Sequence, residues 1–205
     1  MGFSGARSDV VLSLSPDSVL RLRRGEEAAF DEIYEAYRAR IFTFLLRLTG
    51  RRALAEELVQ ETFIRLVQHR DRLREDTQIG AWLYRVARNL ALSQRRRRAL
   101  ESTFGLDFLF QAADRVTPFD HVFGNELEGL VERALAKLGP KNLEVAWLVF
   151  VEGFSQEAVC TILDVRPEAL RKRLSRVRAE LKLALEPSPE PLLGSRPVRE
   201  DLDHE

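Results

Sequence analysis

The stretch GFSQEAVCTILDVRPEALRKRLSRVRAELKLAL, residues 153–185, reads as a helix, a tight turn and a second, strongly basic helix. Ser155 sits where an N-cap is needed, because its hydroxyl can accept from a first-turn N–H that has no partner inside the helix. Ala158, Val159, Ile162 and Leu163 then recur at helical spacing and mark one apolar face. The turn falls at Asp164, Val165 and Arg166, and Pro167 takes the first position of the next helix, where a missing N–H costs nothing. After it Leu170, Leu174, Val177, Leu181 and Leu185 step by four and three, a stripe that must face a core. At about 100° per residue, Glu168, Lys172, Ser175, Arg176 and Ala179 lie on the opposite side, flanked by Arg171 and Arg173. Two short helices joined in this way, the second with long cationic side chains outward, have the geometry that places a helix in the major groove of DNA. The same pattern describes an ordinary helical hairpin with a solvated charged face, so the rest of the chain has to decide.

The formal net charge is zero, which alone argues against a polyanion partner, but the charges are segregated. Between residues 76 and 101 stand Arg85, Arg88, Arg95, Arg96, Arg97 and Arg98 without a single acid, while acids concentrate in 26–61 and 101–132. Such blocks suit one surface for nucleic acid and another for a protein partner. A chain of 205 residues, 45% of them hydrophobic, is enough for one or two domains with real cores. No run approaches the roughly 20 apolar residues of a membrane span, and MGFSGARSDVVLSLSPD lacks the pattern of a signal peptide, so a cytoplasmic protein without membrane insertion is expected. The single cysteine, Cys160, and the three histidines share no ligand spacing, so neither disulfide, metal nor cofactor is expected. Paired carboxylates, a nucleophilic triad and a phosphate-cradling glycine loop are missing from the sequence, which excludes the common enzyme classes and gives no sign of a small-molecule substrate.

Periodicity predicts an all-α chain in two small domains. Residues 1–24 form an N-terminal extension with at most a short helix. Domain 25–100 is a bundle of three helices. The first begins near Ala28 and stops at Gly50. The second covers about residues 53–69, with Leu54, Leu58, Val59, Phe63 and Leu66 inward and Glu57, Gln60, Glu61, Ile64, Arg65 and Gln68 outward. The third covers about residues 79–99, with Trp82, Leu83, Val86, Ala87 and Leu90 on its buried side and Tyr84, Arg88, Leu92 and Arg95 opposite, beside Arg85 and Asn89. Basic and aromatic groups alternating on one helix face suit phosphate contact with base stacking, though a solvated arginine face has the same pattern. Residues 101–124 are an interdomain linker rich in phenylalanine, and Phe108 and Phe110 are expected to pack between the domains and mask DNA-binding surface. Residues 125–186 make a four-helix domain that ends in the helix-turn-helix pair, and the proline- and acid-rich tail 187–205 is expected to be disordered.

Four strings in this order, AFDEIYEAYRARIFTFLLRLTG, AEELVQETFIRLV, GAWLYRVARNLALSQRRRR and LRKRLSRVRAEL, resemble the extracytoplasmic-function (ECF) class of sigma-70-type sigma factors. The resemblance covers about residues 26–100 and 125–185, which would be sigma regions 2 and 4. It implies partners: core RNA polymerase, promoter DNA and, in some members, an anti-sigma factor. The AEELVQETF helix would dock on the clamp coiled coil of the polymerase through Glu57, Gln60, Glu61 and Ile64. The loop 73–78, with Arg74, Asp76, Thr77 and Gln78, would capture a flipped base of the −10 element, and Tyr84, Arg85, Arg88 and Asn89 would guide the single strand. Arg171, Lys172, Ser175 and Arg176 would read the −35 element in the major groove, with Arg173 and Arg178 on phosphates. The chain departs from the family at the turn, where Asp164 stands in place of the usual glycine and Arg166 in place of a serine or threonine cap. Those departures keep a second possibility open, a sigma-like protein that occupies an anti-sigma factor or the polymerase without initiating. A stand-alone repressor is a weaker third.

Overall fold

The computed structural model describes Leu14, residues 17–103 and residues 126–185. Among the described residues every regular element is helical: α1 (Ser18–Arg23), α2 (Glu27–Thr49), α3 (Arg52–His69), α4 (Ile79–Thr103), α5 (Glu126–Ala136), α6 (Pro140–Ala146), α7 (Gln156–Leu163) and α8 (Pro167–Leu185). The linker phenylalanines Phe108 and Phe110 and the acidic tail lie outside the described residues.

Helices α2, α3 and α4 pack in a mutually touching trio. Ile33, Ile41, Phe44 and Leu45 of α2 meet Leu58, Phe63 and Leu66 of α3 and Leu83 and Ala87 of α4, all buried. Gly50 ends α2 in a left-handed conformation, φ 65°, and its N–H returns to the Leu46 carbonyl at 2.7 Å. Gly80 lets α4 approach α2 closely, because a Cβ there would stand 2.7 Å from the Tyr37 hydroxyl. The N-terminal extension contributes more than expected. Its α1 buries Val19 and Leu22, and Arg21 spans Glu26 and Glu32, so the first lobe is a three-helix bundle with a fourth short helix docked on it.

The face of α4 is rotated from the sequence reading. Ile79, Leu83, Tyr84, Ala87, Leu90 and Ala91 are buried, while Trp82 and Val86 are half-exposed at the rim and Arg85 and Asn89 are open to water. Tyr84, expected on the outer side, has no exposed surface, and Trp82, expected in the core, lies at its edge. The reason is a second packing surface: α4 is pressed against α7 as well as against α2 and α3.

In the second lobe α6 continues into a π-helical turn over Trp147–Val151, closed by the Glu152 N–H on the Trp147 carbonyl at 2.9 Å. This five-residue winding brings Trp147 and Glu152 onto one face, where the indole N–H donates to a Glu152 carboxylate oxygen at 2.9 Å. The helix-turn-helix forms as read. Ser155 accepts from the Ala158 N–H at 3.2 Å, and Leu170, Leu174 and Val177 are buried. Asp164 takes the left-handed conformation that glycine would take more cheaply, φ 53°, and α8 starts at Pro167 with Arg166 offering its carbonyl to Ala169 and Leu170. Asn142 donates to Glu180 at 2.9 Å, fastening α8 to α6.

Candidate nucleic-acid and polymerase interface

The predicted residues fall on α8, on α3, on the loop before α4 and on α4 itself. On α8, Arg171, Lys172, Ser175, Arg176 and Arg178 are exposed and Arg173 is half-buried, so the helix presents an open cationic ridge. Glu168 lies at the start of this ridge, 3.5 Å from Arg171 with both side chains in water, a pair worth little. On α3, Glu57 and Gln60 are exposed, Ile64 is 49% exposed, and Glu61 accepts from Arg65 at 2.8 Å. Val67, 40% exposed, extends the apolar strip by one helical step, a residue the sequence reading passed over. Beside them a shallow hollow of about 310 Å³ is floored by Leu58 and Leu90.

The loop before α4 is a closed turn. The Arg74 N–H donates to the Thr77 hydroxyl at 2.9 Å, and the Thr77 N–H returns to the Arg74 carbonyl at 3.0 Å. Leu73 and Ile79, both buried, pin its two ends, while Gln78 offers its carbonyl to the Trp82 N–H. Arg74, Glu75, Asp76 and Gln78 therefore project into solvent from a backbone that is already ordered, with Arg74 forked onto Asp76 at 3.1 and 3.3 Å. Trp82, Arg85, Val86 and Asn89 continue from that loop along one side of α4, two half-exposed and two open.

The fourth group splits in two. Tyr84 and Arg88 do not share the open face with Arg85 and Asn89 but turn towards the second lobe. The Tyr84 ring lies between Phe44 of its own lobe, 5.1 Å away, and Phe154 of the other, 5.2 Å away and edge-on. Burial pushes its phenol well above the ordinary tyrosine range, and the nearby Glu152 carboxylate adds to the shift. Arg88 donates to Glu144 at 3.1 Å, with 13% and 9% of the two side chains exposed. The same surface carries a second pair, Arg40 on Glu152, where Nε and Nη2 reach one carboxylate oxygen at 2.9 and 2.6 Å. Only 3% of the Glu152 side chain is exposed. Burial opposes the charge on Arg40, yet Glu152, helped by Tyr84 and Tyr37, outweighs it and holds the guanidinium pKa above its ordinary value. Arg47 completes the seam, its guanidinium 4.7 Å from the centre of the Trp147 ring. Beside the seam a cleft of about 390 Å³ is lined by residues of both lobes, Arg47, Arg95, Leu138 and Glu144 among them.

The described chain thus presents an open cationic helix, an ordered polar loop before α4 and an acidic-apolar face on α3. Residues 33–101 match the sigma-70 region 2 family. The ECF RNA polymerase sigma factor SigL of Mycobacterium tuberculosis is 30% identical over 78% of this chain and 91% of its own length. This chain is an ECF RNA polymerase sigma factor. SigW of Bacillus subtilis, another ECF sigma factor, is 28% identical over 82% of this chain and 94% of its own. The sigma factor RpoE of Bartonella quintana, solved in complex with the anti-sigma factor NepR, superposes with a TM-score of 0.64 at 25% identity, over 76% of this chain and 96% of its own.

The seam of this sigma factor went unread in the sequence. Arg40, Arg47, Glu144, Trp147, Glu152 and Phe154 were not singled out, although one signal was present. Glu144 and Glu152 bracket the apolar run VAWLVFV, and a carboxylate bordering a buried helix needs a partner of opposite charge. Which arginines supply it is a tertiary fact. Among the described residues no group of three or more histidine, cysteine or acidic side chains could hold a metal ion, and no helix is long and apolar enough to cross a membrane.

Proposed function

We propose that this sigma factor directs promoter-specific initiation by dividing three contacts among the surfaces described. Glu57, Gln60, Glu61 and Ile64, extended by Val67, meet the polymerase clamp. Arg74, Asp76, Thr77 and Gln78 take a flipped base of the −10 element, and Arg85 and Asn89, with the half-exposed Trp82, guide the displaced strand by phosphate contact and stacking. Tyr84 and Arg88 join that strand path only where the second lobe moves away. Arg171, Lys172, Ser175 and Arg176 read the −35 duplex, and Arg173 and Arg178 neutralise phosphates. The protein catalyses no step itself and works in the cytoplasm, leaving nucleotide addition to the polymerase. The RpoE–NepR likeness supports an anti-sigma partner for this chain as well.

The observation that supports the reading is the ordered loop before α4, in which the Arg74 N–H donates to the Thr77 hydroxyl and the Thr77 N–H returns to the Arg74 carbonyl, so that Arg74, Asp76 and Gln78 stand in solvent on a fixed backbone. The sequestering alternative lacks such support, because its relatives are named as sigma factors. Reconstitution with core polymerase on a genomic fragment library tests it. Recruitment to a defined set of fragments, lost when Lys172 and Arg176 are both changed to alanine, is expected. A core complex that selects no fragment would contradict it.

A further inference from the structure

Two rings flank the loop before α4. His69 ends α3 four positions before Leu73, and Trp82 stands in the first turn of α4, four positions after Gln78. Both are half-exposed, and their centroids lie 6.5 Å apart with the planes inclined at 49°, an open pair rather than a closed stack. Both are also held in place. The imidazole Nδ1 lies 3.0 Å from the Arg65 carbonyl, and since a carbonyl only accepts, Nδ1 carries a hydrogen and the ring is tied to the last turn of α3. The Trp82 N–H reaches the Gln78 carbonyl at 3.0 Å, which fixes the indole's root to the end of the loop. The buried contacts at this end of the lobe are made by Leu66, Leu73 and Ile79, and the imidazole adds ring surface outside them.

We propose that His69 is a further strand-contacting residue: with Trp82 it forms a two-ring platform at the stems of the loop, on which an unpaired base of the melted strand stacks beside the base taken by the loop. The inference deepens the strand path along α4 proposed above and rests on it. Every base has a π-face, so such a platform holds single-stranded DNA without reading its sequence. Rings already fixed by their own hydrogen bonds lose little freedom when a base settles on them. The charge nearby suits the same ligand. Arg85 follows Trp82 by one turn on the same side of α4, and Arg72 follows His69 by three residues, both open to solvent, so a phosphate can be met on either side of the platform. Asp71, the acid of that turn, lies 3.7 Å from Arg70.

The test uses the full chain, alone and in complex with core polymerase, and a random-sequence single-stranded DNA of about 12 nucleotides in which iododeoxyuridine replaces thymidine. Ultraviolet light joins such a base to an aromatic ring stacked on it, and peptide mapping should place cross-links at both His69 and Trp82. His69→Ala should weaken binding of the same DNA roughly fivefold, and His69→Phe, which keeps a ring but not the bond to Arg65, should restore it to within about twofold. Both variants should melt with the unmodified chain and bind duplex DNA as it does, because position 69 is half-exposed and remote in sequence from α8. Cross-links at Trp82 without His69, an alanine variant that binds as well as the unmodified chain, or a phenylalanine variant as weak as alanine each overturn the platform. An alanine variant that loses duplex binding equally overturns it too, since the defect would then be general. Cross-links at both rings in a core complex that selects no promoter fragment would count against the initiation reading and leave the platform standing.

Discussion

Helices α4 and α8 carry the same kinds of side chain and meet opposite fates. On α8 the arginines and Lys172 stand in water on a ridge that nothing in the described chain covers. On α4 the cationic and aromatic residues divide, with Arg85 and Asn89 facing out and Tyr84 and Arg88 pressed beneath the second lobe. The difference comes from the origin of the neighbours: α4 is packed by α2 and α3 of its own lobe and by α7 of the other, whereas α8 packs on α5, α6 and α7 of its own lobe and buries one stripe. A basic helix is thus displayed in one place and partly covered in the other, depending on whether its neighbours come from one lobe or from both.

Substitutions can break or sharpen that contrast. The largest effect is expected on the displayed helix, where changing Lys172 and Arg176 together to alanine should reduce transcription from a −35-dependent promoter by roughly 100-fold, at about 1–3 kcal/mol for each base-reading contact. Gel-shift and run-off assays with reconstituted holoenzyme would measure it, and thermal stability should hardly change because both side chains are exposed. The covered face should respond in the reverse sense. Glu152→Ala removes the carboxylate that Arg40 and the Trp147 indole share and should weaken coupling between the lobes by about 3 kcal/mol, seen as one calorimetric unfolding transition resolving into two. Ser155→Ala removes the α7 cap and should cost about 1 kcal/mol of stability in denaturant titration without altering the seam.

The smallest effect at neutral pH, and the sharpest diagnostic, concerns Tyr84. Its hydroxyl is buried beside the Glu152 carboxylate, which already accepts from Arg40 and Trp147, so Tyr84→Phe should cost only about 0.5 kcal/mol at pH 7. Its pKa is raised on folding, so the neutral phenol's contribution is fully present below the ordinary value of 10.0 and is lost as pH rises from there towards the folded value. Circular dichroism melts should therefore show stability falling above about pH 10 for the unmodified chain, and less steeply for Tyr84→Phe. Equal slopes would mean that the phenol is not enclosed by both lobes.

Much of the architecture was legible because it is local. The α8 stripe, the Ser155 cap, the stop at Gly50 and even the left-handed Asp164 follow from spacing and backbone preference within a few residues. The α3 outer face was legible from periodicity, and the polar loop before α4 from its composition; the roles given to both come from the resemblance alone. What failed was the rotation of α4. A helix of pattern WLYRVARNLAL offers apolar or amphipathic groups over more than half its circumference, so periodicity could not tell one buried arc from two. The π-turn at Trp147 was illegible for a related reason: one extra residue per turn has no signature in an apolar run, yet it is what sets Glu152 beside Trp147 and in reach of Arg40. Pairings such as Arg40 with Glu152, 112 positions apart, are choices the chain makes only after both lobes exist.

The most direct measurement is oxidative footprinting of Tyr84 and Phe154 in the free sigma factor and in its complex with core polymerase before DNA is added. Both rings are predicted to resist oxidation in the free chain and to react, Phe154 most, once polymerase is bound, while residues of the α2–α3 core stay protected throughout. Rings that react equally in both states would show that the two lobes are not locked together in solution, and the account of one face displayed and one withheld would be wrong.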